Sequence, residues 1–166
     1  MQFARADIDK AIVSAMMTYR AGLYLIGRRD CLTFAQAYLY ALTGMSKFLP
    51  GNRVCGRHVY DRTLPRDELH SIVSEVLGVS CGDWLGSNTK RPPQIGDVLV
   101  WGGGGEGTGV GIIIMPDVES ANPIALTYTH DGIVRTMPPN PVAYWPPYTP
   151  RASATDPVPQ PRRLGK

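Results

Sequence analysis

The stretch GRRDCLTFAQAYLYALTG, residues 27–44, decides how the chain is read. Asp30 suits a helix N-cap, because its carboxylate can accept from the free amides of a first turn. Cys31, Phe34, Ala35, Tyr38, Leu39 and Leu42 then fall on one face, and Gly44 closes the helix. The pattern points Cys31 inward, into a core or a cleft against it. Free amides and the positive end of a helix dipole stabilise a thiolate, so Asp30-Cys31 at a helix start admits a nucleophile. A small buried apolar thiol fits the same residues.

Outward from this helix, RADIDKAIVSAMMTYRAG (5–22) places Ile8, Ile12, Ala15, Met16 and Tyr19 at helical spacing, with Gly22 past the end. Residues 45–62 read as an irregular connection holding Cys55 and His58. TLPRDELHSIVSEVLG (63–78) reads as a third helix, with Thr63 as cap and Pro65 in the first turn. It contains His70, read as a surface or half-buried residue. Residues 79–94 form a loop with Cys81 and Trp84. From Gly96 the pattern changes to β-like runs at 97–101, 109–115, 124–130 and 132–137, with 142–145 as a further short strand. Asp131-Gly132 marks a hairpin turn. Helices first and strands after predict an α+β domain, an antiparallel sheet packed on N-terminal helices.

The chain has 166 residues, 43% hydrophobic and 19% charged, which suits one domain over residues 1–148. The net charge of +3, without a basic stripe, argues against nucleic acid as a partner. No apolar run approaches the roughly 18 residues of a membrane span, and the N-terminus lacks the apolar region of a secretory signal. Three cysteines do not make a disulfide framework and fit synthesis in a reducing cytoplasm. Fifteen prolines crowd toward the C-terminus. Residues 149–166 read as a proline-rich arm that partners would order. Tyr144, Trp145 and Tyr148, set among prolines, with Arg162 and Arg163 beyond, are candidate docking residues.

Asp30-Cys31 opening a helix, Gly96-Asp97 opening the sheet and GVGIIIM (109–115) as its next strand together resemble the NlpC-type cell-wall peptidases, a papain-like superfamily. The similarity runs over roughly residues 20–137 and is closer to a subset encoded among tail genes of long-tailed phages. It implies a virion protein of the tail tip or baseplate, made in a host cytoplasm. Other tail proteins would be its partners, with peptidoglycan as a substrate if the site works. It implies Cys31 as nucleophile, supported by Asp30. The family histidine falls at Gly109, which has no proton acceptor. His130, in TYTH (127–130), is the nearest candidate for base or orienting residue, and His58 is a second. Tyr128 or Thr129 fits the orienting position equally. Alternation puts Tyr128 and His130 on one strand face and Thr127 and Thr129 on the other.

The missing histidine favours a structural tail protein that has lost its chemistry; an active cysteine peptidase is the alternative. No cofactor is expected. A second alternative staples the chain with a metal through Cys31, Cys55, His58 and Cys81, a three-cysteine, one-histidine set in which only Cys55 and His58 are close in sequence. GGGGEG (102–107) lacks the Lys-Ser/Thr of a nucleotide loop and reads as a flexible hairpin connection.

Overall fold

The computed structural model describes residues 3–54, 56–86, 92–116, 123–138 and 141–147. Helix α2 (Cys31–Thr43) begins as its capping sequence requires. The Asp30 carboxylate accepts from the Thr33 amide at 3.0 Å, and the Thr33 hydroxyl accepts from the Asp30 amide at 2.8 Å. Gly44 ends the helix in the left-handed region, its amide returning to the Tyr40 carbonyl. Burial exceeds the single inward face expected. Every residue from Cys31 to Leu39 is buried, which makes α2 the central helix of the core.

Helix α1 (Arg5–Tyr19) turns Ile8, Ala11, Ile12, Ala15 and Tyr19 inward. It stops three residues short of Gly22, where Arg29 donates to the Thr18 and Ala21 carbonyls. Those bonds satisfy acceptors that a helix end leaves open. Helix α3 (Arg66–Leu77) starts later than expected, with Pro65 at the cap. Thr63 does not cap it; the Thr63 amide and hydroxyl both donate to Asp61, at 2.9 Å each, closing a separate turn.

Among the described residues the strands are β1 (Leu85–Gly86), β2 (Val98–Gly103), β3 (Glu106–Met115), β4 (Ile124–Thr129), β5 (Gly132–Thr136) and β6 (Pro141–Trp145). They form one antiparallel sheet in the order β1-β6-β2-β3-β4-β5. The α+β architecture expected from the sequence is present. The two-residue β1 was not foreseen, because Leu85-Gly86 carries no period of its own. Val98, Val100, Val110, Ile112, Leu126 and Tyr128 join the helices in the main core. Leu99, Ile113, Ala125 and Tyr144 form a second cluster on the opposite face.

Gly96-Asp97 anchors the sheet to α2. The Tyr38 hydroxyl donates to the Gly96 carbonyl at 2.7 Å, and Asp97 is fully buried, accepting from the Gln94 amide. The glycine run is the main departure from expectation. It is a docked hairpin tip. The Gly104 and Gly105 amides donate to the Leu64 and Arg62 carbonyls at 2.7 and 2.6 Å. Gly102, at φ +97°, sits so near the Gly107 carbonyl that a Cβ would overlap it. Only glycine meets both demands.

Candidate active-site cleft

Strand β3 pairs with β2 from Ile112 back to Glu106, apart from a bulge near Gly102. Its ladder with β4 stops at Ile112 opposite Leu126, although β4 continues to Thr129 in register with β5. The two strands therefore part beyond that point. At the fork the Thr127 hydroxyl donates to the Val110 carbonyl at 2.6 Å, replacing a ladder bond. A cleft of about 320 Å³ occupies the gap, lined among others by Cys31, Tyr24, Trp101, Thr108, Thr127 and His130.

Cys31 enters as the first residue of α2 and is 5% exposed. Its sulfur lies 3.7 Å from the hydroxyl of Tyr60, which ends a short 3₁₀ turn at Arg57–Tyr60. Burial, and next the neighbouring Asp30 charge, push the thiol pKa up to about 11. The Tyr60 hydroxyl and the Val110 and Leu32 backbone oppose that rise without cancelling it. The thiol is thus protonated at neutral pH. The expected support of a thiolate by Asp30 is corrected here. Asp30 is the cap: its carboxylate accepts from the Thr33 amide in the first turn and from the Gly27 amide before it, and it sets a negative charge beside the sulfur.

Gly109 lies directly opposite Trp101 in the β2–β3 register. A side chain at 109 would overlap the Trp101 indole. Val110 and Ile112 face the helices, so Gly109 and Gly111 face away from them by alternation. Side chains at 109 thus leave the sheet on the side opposite α2, and an indole already holds the space.

His130 is exposed at the cleft rim and packs at a tilt against Tyr24, ring centres 4.2 Å apart. Among the described residues no hydrogen bond joins an imidazole to the Cys31 sulfur. Tyr128 turns into the core against Tyr19, 5.0 Å between rings, and its hydroxyl donates to the Gly22 carbonyl. Thr129 bonds the Gly132 carbonyl within its own hairpin. The Thr108 hydroxyl oxygen, on the cleft wall, is buried without a hydrogen-bond partner.

His58 is exposed and lines a different pocket with Arg53, Ile72 and Glu75. Cys81 is exposed beside Ser71, 3.9 Å from its hydroxyl. Cys55 lies outside the described residues, and among those described no three His, Cys, Asp or Glu side chains gather as a metal site. His70 is half-buried, edge-on to Trp84 at 5.2 Å, and burial lowers its pKa. Tyr144 is buried in β6, and Trp145 is half-buried, 6.0 Å between its ring centre and that of Phe48. Tyr148, Arg162 and Arg163 lie outside the described residues.

Sequence reasoning missed Tyr24 as a cleft residue and Tyr60 as the partner of the Cys31 sulfur. Both are lone aromatics in irregular segments, where no period assigns a direction. Comparison with family models, with curated proteins and with solved structures finds no match to this chain.

Proposed function

We propose that this chain is a structural protein of the tail tip or baseplate of a tailed phage, built on an NlpC-type papain-like fold whose hydrolytic centre no longer operates. The phage setting comes from the motif order: Asp30-Cys31 opening a buried helix, Gly96-Asp97 opening the sheet, then the Gly109 strand. The silent site rests on one observation. The Cys31 thiol meets a tyrosine hydroxyl and backbone amides, not an imidazole, while burial and Asp30 hold it protonated. A cysteine hydrolase needs a thiolate and a base within about 3–4 Å to carry the proton. Neighbouring tail proteins are then the partners, and the surfaces are the working parts.

The second reading is a peptidase that cuts peptidoglycan peptides with Cys31 and His130. What favours it is that both residues line one cleft. It requires the exposed His130 ring to leave Tyr24 and reach the sulfur.

One experiment separates them. Purified protein and its Cys31→Ala variant are incubated with peptidoglycan, and newly freed amino groups are counted. In parallel the variant gene replaces the original in the phage. The structural reading expects no Cys31-dependent release and unchanged plaque yield. Release that disappears with Cys31→Ala and falls sharply with His130→Ala establishes the peptidase instead.

A further inference from the structure

The cleft has two walls. On the helix side stand Cys31, Tyr24 and Tyr128, which pack with the main core. The other wall belongs to the far face of the sheet. Ala125 lies in the outer cluster with Leu99, and Thr136 and Val134 pair with Ala125 and Thr127 across the β4–β5 ladder. By alternation Trp101, Thr127, Val134 and Thr136 therefore share that outer face. The cavity runs through the fork, from the thiol to a row of threonines beside an indole.

No carboxylate, ammonium or guanidinium lines it. Charged residues stand nearby. Asp131 follows His130 in the hairpin turn, and Arg135, between Val134 and Thr136, belongs to the other strand face. The Arg62 Nε is 4.0 Å from where a Cβ on Gly107 would be. These charges are of both signs, and none reaches the lining. An ionised ligand would shed its water here and meet no counter-charge. The hydroxyls select further. The Thr136 hydroxyl makes no hydrogen bond among the described residues, and the Thr127 hydroxyl, having donated to Val110, keeps its capacity to accept. A wholly apolar ligand would strip water from both and return no bond. Trp101 and Tyr24, both half-buried, add a ring to each wall. Rings, unspent hydroxyls and no charge suit a compound with an apolar C–H face and a rim of hydroxyls. At about 320 Å³ the cavity is small for a ligand site, which typically spans about 300–1,000 Å³, so it holds a terminal unit and not a chain.

We propose that this cleft binds a neutral saccharide, the terminal unit of a glycan, packed on Trp101 and hydrogen-bonded to the Thr127 and Thr136 hydroxyls. The inference rests on the reading of the cleft as hydrolytically silent, and gives the retained cavity a binding role.

The test is an NMR titration of the full chain with the methyl glycosides of glucose, galactose, mannose, rhamnose and N-acetylglucosamine, each to about 50 mM. Glucuronic acid and glucosamine serve as charged counterparts, and acetyl-Ala-Gly-Ala-amide as a blocked peptide. At least one glycoside should shift the Trp101 indole N–H and the Thr136 methyl, and the charged sugars should bind at least about tenfold more weakly. Thr136→Val, checked to melt like the parent, should weaken binding about fivefold, and Trp101→Leu, read from the Thr127 and Thr129 amides, at least about tenfold. A chain whose cleft no glycoside shifts overturns the proposal. So does equal binding of the charged sugars, or binding indifferent to both variants. Shifts from the blocked peptide alone would give the cleft to an extended chain and equally overturn it. Cys31-dependent release from peptidoglycan is a separate outcome: it ends the silent reading, whereas absent glycoside shifts end this inference alone.

Discussion

The two sides of β3 use glycine in opposite ways. Toward β2 the strand is closed, and its hairpin tip is pressed onto Leu64 and Arg62. There glycine allows backbone to approach backbone. Toward β4 it is open, and the gap holds a thiol, hydroxyls and aromatic rings. There Gly109 allows an indole to lie across the strand. The difference teaches that one strand can use glycine to close one edge against backbone and to make room for a packed ring at the other.

The closed side should be the less forgiving. Gly102→Ala adds a Cβ at φ +97° against the Gly107 carbonyl and should cost about 3 kcal/mol or more, read from urea unfolding. A cost under about 1 kcal/mol would mean the tip is looser than its hydrogen bonds imply.

On the open side, Gly109→Ala should cost about 2 kcal/mol through overlap with Trp101. Trp101→Leu in the same chain should recover part of that loss, giving a coupling of about 1 kcal/mol in a double-mutant cycle. Strictly additive effects would show that the indole does not occupy this space.

Asp30→Asn should cost about 1–2 kcal/mol, because one amide oxygen cannot serve both the Thr33 and the Gly27 amides. It should also bring the Cys31 pKa below about 11, by removing the second-largest cause of its elevation. The measurement is alkylation rate against pH. In the parent, the folded thiol titrates above its ordinary value of 9.0, so its contribution to stability is complete below that pH. That contribution is lost as pH rises toward about 11. Fast labelling of Cys31 itself in the parent near pH 7, with Cys81 as the exposed control, would break the contrast and make the open side reactive.

Thr127→Val should be the mildest, about 1 kcal/mol, from losing the bond to the Val110 carbonyl. Hydrogen exchange should quicken at the fork while the β2–β3 amides stay protected. Equal acceleration on both sides would make the two edges one cooperative unit.

Local signals were legible where one residue's chemistry decides the outcome. Asp30 and Gly44 bound α2, Asp131-Gly132 turns β4 into β5, and Gly96-Asp97 leads into β2. Each works through bonds to residues within a few positions, which the linear order exposes. Strand period likewise placed Tyr128 and Thr127 on opposite faces. What only the tertiary structure decided is which groups meet across the gap. Tyr60, twenty-nine positions from Cys31, supplies its hydroxyl partner, and Trp101 takes the space at Gly109. The reactivity of Cys31 belongs to this second class. A helix start alone favours a thiolate, but burial and the charge of its own cap reverse that preference, and burial is a property of the packed chain.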